Sequence, residues 1–416
     1  MLRRRSNRLL VLLIFVLFAV QGSGEGVTVL HPETRISLSD GHPGEKLGFD
    51  VAGDGDTFIA STSPYISTDK TAAVYVYVRS EDNQWLQQAK LILSAERRDD
   101  ELGSIDISKN TIVVTEPNFG NVYIFAREGN AWVQQAKLSS PASSGLSFGR
   151  TVAIDGDTVV VGDEGAVHVY VRQPGTANWS YQAKLTAPGD YKKYYAFGPT
   201  VDISGNTIVV GIGKYRGGSA SVFVRHPGTT AWVQQTELVP IVERTDLRSD
   251  FVLVKSQQRL SGSCSVSIDS DRIVVGSCGE SAVYLFERSS TKSTWTQTAR
   301  LVPQGGRRGF LAPYGFGIET AIQGNVIAVL AKDYSSLFSG VEAPVYLFGR
   351  SEDGQWMQQA KVLPLVDFPD EHGFFSIALW NNRLAAGEIF AKNEQGVIGG
   401  AVHILDISAV NLQLNH

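Results

Sequence analysis

Only two cysteines occur in 416 residues, and neither they nor the seven histidines are spaced as metal ligands. His31, His42, His168, His226, His372, His403 and His416 include no His-x-x-x-His pair, which excludes the local zinc motifs. No Gly-Lys-Ser/Thr phosphate loop is present, and no Arg-Gly-Asp triplet; Arg248-Ser249-Asp250 comes nearest to the latter. Charge of one sign is also lacking. The 37 Lys and Arg stand against 42 Asp and Glu, a net of -5, which argues against a nucleic-acid binder, whose surface would carry a basic stripe. Long stretches of helical period are missing as well. In their place are 42 glycines and many valines and aromatics, the mixture that short strands and tight turns require.

One long apolar run exists, Leu9 to Val20, preceded by Arg3, Arg4, Arg5 and Arg8 and followed by Gly22, Ser23, Gly24 and Gly26. A basic head, an apolar middle and a small-residue exit describe a secretory signal peptide over residues 1–24. The alternative is a retained signal anchor, although a spanning helix needs about 20 apolar residues. The expected location is therefore secreted or at the extracellular surface. Export gives Cys264 and Cys278, which flank a turn at Ser270, an oxidising setting and an expected local disulfide; two buried free thiols are the alternative. Asn178-Trp179-Ser180 is a glycosylation sequon.

The rest of the chain repeats itself. Trp85, Trp132, Trp179, Trp232, Trp295 and Trp356 recur, the first two intervals being 47 residues each. In one copy, Thr151–Ile154 reads as strand A, Thr158–Val161 as B, Ala166–Arg172 as C and Trp179–Leu185 as D. A small-Val-aromatic signature of strand C appears seven times, at 73–75, 121–123, 166–168, 221–223, 282–284, 344–346 and 401–403. B is apolar on both faces, as a buried strand should be, and D alternates and carries Gln and Lys, as an outer edge should.

Four-stranded sheets at this period are blades of a β-propeller. An all-β, seven-bladed propeller of four-stranded antiparallel blades is predicted over 27–410, with a tail at 411–416. Its blades span about 47–93, 102–138, 148–185, 197–238, 263–301, 316–363 and 374–407. The last copy lacks a D strand, and Glu33–Leu38 sits where one would precede the first Leu47-Gly48-Phe49. That segment, 33–38, is predicted to complete the last blade and close the ring.

Phe148-Gly149, Phe197-Gly198 and Phe316-Gly317, with Gly165-Ala166 and Gly400-Ala401 before strand C, resemble the FG-GAP repeat of integrin α-subunit heads. The resemblance spans about 33–407 and implies an integrin-α-like propeller associated with extracellular binding and adhesion. It departs from that family at the A–B turns, which lack the long calcium loop. Gly53-Asp54-Gly55-Asp56, Asp155-Gly156-Asp157, Ser204-Gly205-Asn206 and Asp269-Ser270-Asp271 offer two carboxylates at most, whereas calcium takes six to eight oxygens. They read as turn formers. No cofactor is expected, calcium remaining open but unsupported by turns this short.

Gly145-Leu146-Ser147-Phe148-Gly149 matches a nucleophile elbow, but it straddles a blade junction where no strand-to-helix turn is expected. No catalytic residue is assigned. The Gln and Lys of strand D (Gln87, Gln88, Lys90; Gln134, Gln135, Lys137; Gln234, Gln235; Gln358, Gln359, Lys361) recur around the ring, which suits blade-to-blade hydrogen bonding better than a single site.

Insertions fall on the B–C connections (61–71, 211–219, 331–343, 387–400) and the D–A connections (188–196, 240–262, 303–315). Both sets emerge on one face of a propeller, which makes that face the candidate binding surface. It carries Tyr65, Tyr191, Lys192, Lys193, Tyr194, Tyr195, Tyr215, Arg216, Arg307, Arg308, Phe310, Tyr314 and Tyr334, Tyr and Arg being types enriched at binding hot spots. The favoured reading is a non-enzymatic binding or adhesion module for an extracellular protein or glycan, with no nucleic acid and no membrane span once the leader is removed. The alternatives are a polysaccharide hydrolase or lyase with its site in the central funnel, or a structural matrix protein.

Overall fold

The computed structural model describes residues 28–38, 45–62, 72–93, 102–141, 148–186, 196–213, 219–241, 265–277, 281–289, 293–304, 315–332, 343–364, 373–392 and 396–408. Two short strands come first, β1 (Thr28–Leu30) and β2 (Thr34–Ile36). Blade 1 is β3 (Leu47–Asp54), β4 (Thr57–Thr62), β5 (Ala73–Arg79) and β6 (Trp85–Ile92). Blade 2 is β7 (Ile105–Ser108), β8 (Thr111–Glu116), β9 (Asn121–Glu128) and β10 (Ala131–Ser139). Blade 3 is β11 (Val152–Asp155), β12 (Thr158–Asp163), β13 (Ala166–Arg172) and β14 (Trp179–Leu185). Blade 4 is β15 (Ala196–Ser204), β16 (Thr207–Gly213), β17 (Ser219–Arg225) and β18 (Trp232–Leu238). Blade 5 is β19 (Val266–Asp269), β20 (Arg272–Ser277), β21 (Ala282–Arg288) and β22 (Trp295–Leu301). Blade 6 is β23 (Phe316–Gln323), β24 (Val326–Ala331), β25 (Val345–Arg350) and β26 (Trp356–Val362). Blade 7 is β27 (Ser376–Trp380), β28 (Arg383–Glu388) and β29 (Ala401–Asp406), completed by β2.

Each blade is an antiparallel sheet in A-B-C-D order. The A strands touch in the sequence β3, β7, β11, β15, β19, β23, β27 and back to β3, so they line the axis of a closed ring. B strands are buried along their length in β4, β8, β12 and β24 because a neighbouring blade covers each face. Apolar clusters accordingly form between blades, one joining Ile59 and Val76 of blade 1 to Ile112 and Phe125 of blade 2.

The Phe-Gly motif has a packing reason. Phe148, Phe197 and Phe316 are buried between blades, and Leu47, Leu102 and Phe374 take their place in other copies. The following glycine adopts positive φ, +85° at Gly198. A Cβ there would stand 2.8 Å from the carbonyl oxygen of Ala166 in the preceding blade, so no side chain fits.

β2 pairs antiparallel with β29 (Thr34 with Ile404, Ile36 with Val402), so the predicted closure is present. The signature of strand C requires one change. Ala220 pairs with Leu238 as Val167 pairs with Leu185, which sets Ser221 at the place of His168 and Phe223 at that of Tyr170. The 221–223 assignment was therefore two residues out of register, a slip that a period of two conceals because it preserves the face. β1 was not anticipated either. It adds a fifth, parallel strand to β26 (Thr28 with Ala360, Leu30 with Val362), straddling the outer edges of blades 6 and 7 with β2.

A chain beginning at residue 45 leaves the β29 edge unpaired and its ring open. It should melt several degrees lower and be cleaved faster by protease than the chain from Gly26. A peptide of residues 26–38 added in trans should restore both properties. Calorimetry and limited proteolysis test this, and equal stability of the two chains would refute the closure role.

Candidate functional site

The axial channel holds the densest group of perturbed ionisable side chains. An A strand has a paired neighbour on one side only, so its remaining N–H groups need other acceptors. The preceding blade supplies them as side chains. Asp50 accepts from Ile105 N at 2.9 Å, Asp106 from Ile154 N at 2.7 Å, Asp202 from Ile268 N at 2.8 Å and Glu319 from Ile377 N at 3.1 Å. Nearer the A–B turns, Asp155 accepts from Gly205 N, Asp269 from Gly324 N, Ser108 from Gly156 N and Ser204 from Ser270 N. These turns do carry positive φ at Gly55, Gly156, Gly205, Ser270 and Gly324, as turn formers should. Their acidic members do more, because they also fasten the next blade.

At the closing junction an aromatic replaces the hydrogen bond. Trp380 stands where other blades carry an acceptor, and its ring lies against Gly53; a Cβ on Gly53 would come within 2.3 Å of it. The ring also meets Trp85 at 6.2 Å and Phe58 at 6.3 Å between centroids.

Asp50, Asp106, Asp202 and Glu319 keep a strip of surface toward the channel, yet protein surrounds them. Desolvation raises Asp50 to about 6, Asp202 to about 7 and Glu319 to about 8, and holds Asp106 well above the ordinary carboxylate range. Neighbouring carboxylates add to the rise at Asp106, Asp202 and Glu319. Toward the face of the B–C and D–A connections, Lys332 is buried with its Nζ 3.1 Å from the Phe375 ring centroid. Burial lowers it to about 7, opposed by Glu319. Phe375 stacks on Phe49 at 5.2 Å.

Below that face a second layer of acids meets strand C. Glu388 lies 2.7 Å from His403 Nε2, both fully buried, and Asp163 lies 3.3 Å from His168 Nε2. Glu116 accepts from Tyr123 Oη at 3.1 Å and Glu45 from Tyr75 Oη at 3.4 Å. The two histidines are thus core residues, each beside a buried carboxylate. Desolvation lowers His168, against the pull of Asp163.

The recurrent glutamines do join blades. Trp132, Trp179, Trp232 and Trp295 donate from Nε1 to Gln88, Gln135, Gln182 and Gln235 of the preceding blade at 2.8–3.0 Å. Asn178 lies in the exposed C–D turn of blade 3. Among the described residues, no group of three or more His, Cys, Asp and Glu is placed to hold a metal ion, and no helix is long and apolar enough to cross a membrane.

Tyr65, Tyr191, Lys192, Lys193, Tyr194, Tyr195, Tyr215, Arg216, Arg307, Arg308, Phe310, Tyr314 and Tyr334 lie outside the described residues, as do Ser147, Cys264, Cys278 and the leader. The strands that bound their connections are described. All seven A–B turns are the same two-residue hairpin. The B–C connections, by contrast, run from two residues, 164–165, to the whole of 332–344, and the longest D–A connection is 239–265. The C–D connections on the other face range only from two residues, 129–130, to six, so the wide variation lies on one face.

The raised channel acids make a pH prediction. A carboxyl raised in the folded state stabilises most below its unfolded value of about 4 and loses that contribution as pH rises through the folded value. Between pH 7 and 5, Asp50 and Asp202 should favour folding increasingly on acidification. Asp202→Asn, which mimics the protonated side chain, should flatten that part of the slope. Melting temperature against pH for both proteins is the measurement, and parallel curves would contradict the assignment.

Residues 132–173 and 179–223 match the family described as FG-GAP repeat. Each matched segment begins in a D strand and ends in the C strand of the next blade, so the sequence repeat is D-A-B-C. No curated protein matches the sequence. Among solved structures, the fold is similar to a putative 6-phosphogluconolactonase from Bacteroides uniformis (TM-score 0.54, 11% identity, 85% of this chain and 98% of that one). It is similar also to the Cps50 (Swd1) β-propeller domain of Myceliophteria thermophila (TM-score 0.53, 9% identity, 90% and 100%). Likeness at this identity extends to fold alone. The chain is a seven-bladed β-propeller, and two consecutive segments of it, spanning the junctions of blades 2 to 4, match the FG-GAP repeat.

Proposed function

We propose that this propeller is a secreted or cell-surface binding module that takes an extracellular protein or glycan on the face of its B–C and D–A connections. The observation that carries the reading is the asymmetry between faces: seven identical A–B hairpins on one, connections of widely different length on the other. A repeat array that keeps one face uniform and elaborates the other places recognition on the elaborated face. The channel chemistry supports binding over turnover. Asp50, Asp106, Asp202 and Glu319 accept backbone N–H groups across blade junctions and so serve the ring.

Mature protein from Gly26 should bind saturably on a glycan and matrix-protein array. Changing Tyr191, Lys192, Tyr194 and Tyr195 to alanine should weaken that binding by about tenfold or more while the melting temperature holds. Unaltered binding by a folded variant would remove this segment from the surface, and turnover of a bound glycan would replace the reading with an enzyme.

A further inference from the structure

The outer seam between blades follows one pattern. The arginine ending strand C lies over the tryptophan of its own blade, 4.8–5.1 Å from the ring in blades 2, 3 and 4. It donates to the threonine opening strand B of the preceding blade: Arg127 to Thr57, Arg172 to Thr111, Arg225 to Thr158. The tryptophan meanwhile donates to a glutamine of that blade.

The seam between blades 5 and 6 breaks both rules. Arg272 opens β20 in place of threonine, so Arg350 of blade 6 meets a second guanidinium. Glu287 Oε1 lies between them, 3.1 Å from Arg272 Nε and 3.4 Å from Arg350 Nη1. Gly324 O holds Arg272 Nη1 at 2.6 Å. Thr298 stands three residues after Trp295, where the other blades carry the glutamine that receives the next tryptophan. The buried Nε1 of Trp356 is left without a partner among the described residues. Along this seam runs an open groove of about 670 Å³, on the face of the A–B and C–D turns. Arg383 makes the same exchange at the closing seam and donates to Gly55 O at 3.3 Å, but there Trp85 and Trp380 fill the space.

We infer that the groove between blades 5 and 6 is a second binding site, for a saccharide bearing carboxylate or sulfate groups. Two guanidiniums share the one Glu287 carboxylate, while Arg288 is matched by Asp271 at 2.8 Å and Asp269 accepts from Gly324 N and Ser270 Oγ, so within the Arg272–Glu287–Arg350 group one positive charge is unmatched. The Nη2 atoms of Arg272 and Arg350 have no hydrogen-bond partner among the described residues, and both side chains remain a quarter to a third open to solvent. Planar guanidiniums match the paired oxygens of an oxyanion. Arg272 is already held in position by Glu287 and Gly324, which reduces the ordering cost of binding. Ser270, Ser289, Thr296 and Thr298 line the same groove and present hydroxyls of the kind that exchange hydrogen bonds with sugar hydroxyls. The site is on the opposite face from the proposed partner surface and stands independently of it.

Titration calorimetry of the chain from Gly26 with a heparin oligosaccharide, an oligogalacturonate and a poly-Glu peptide tests the assignment. At least one of the two saccharides should bind, more weakly as salt rises to ~0.5 M. Loss of one charged donor pair should weaken it by about tenfold or more in Arg350→Gln. Thr298→Trp, which fills the groove and keeps both arginines, should do the same. Arg127→Gln at an ordinary seam and the Tyr191, Lys192, Tyr194, Tyr195 alanine variant should bind as the parent does. Binding by neither saccharide would overturn the proposal. So would full affinity in a folded Arg350→Gln or Thr298→Trp protein, equal loss in Arg127→Gln, or poly-Glu binding as tightly as the better saccharide.

Discussion

The unpaired side of each innermost strand is the constraint on which this ring depends. A blade satisfies its backbone internally except along the channel edge of strand A, where N–H groups face the preceding blade and no strand pairs with them. The chain meets that need with side-chain acceptors reaching across the junctions other than the closing one, Asp50 to Ile105 and Asp202 to Ile268 among them. Carboxylates buried at these junctions lose hydration, and their proton affinity rises. The acidic channel is thus a consequence of holding blades together. Where the acceptor is absent, at the closing junction, Trp380 packed on Gly53 supplies apolar contact instead.

Closure draws on the same repeat viewed in a different phase. The matched family segments run D-A-B-C, while a folded blade is A-B-C-D, so every blade borrows its outer strand from the following repeat. The first blade strand in the chain is the D strand β2 and the last described strand is the C strand β29, and their pairing closes the ring. β1 extends the overlap onto blade 6. A ring closed this way has no free C-strand edge.

The two faces are built differently. Identical A–B hairpins pin the ring on one side, leaving the B–C and D–A connections free to vary on the other. Departures from the repeat are the informative places within this regular frame. Arg272, standing where the pattern calls for threonine, changes a seam of matched donors and acceptors into a groove in which two guanidiniums share one carboxylate.

Much of this was legible in the residues themselves. A propeller repeats its chemistry because every blade solves one packing problem, so Trp, Gln, Phe-Gly and the apolar B strands recur at a readable period. The missing last D strand pointed to β2 for the same reason. What stayed hidden depends on neighbours in space. Asp50, Asp106, Asp202 and Glu319 are isolated acids in sequence, and their role exists only once the next blade brings an N–H group to them. The register of Ser221 needed the pairing partner Glu237, since a shift by two keeps every side chain on its face. β1 is three residues long and finds its partner more than three hundred residues away. The sequence by itself determined the number of blades and the strands that form them, because burial imposes a period on the chain. Only the tertiary structure decided how blades are fastened and where a seam opens, because those contacts join residues that share no local pattern.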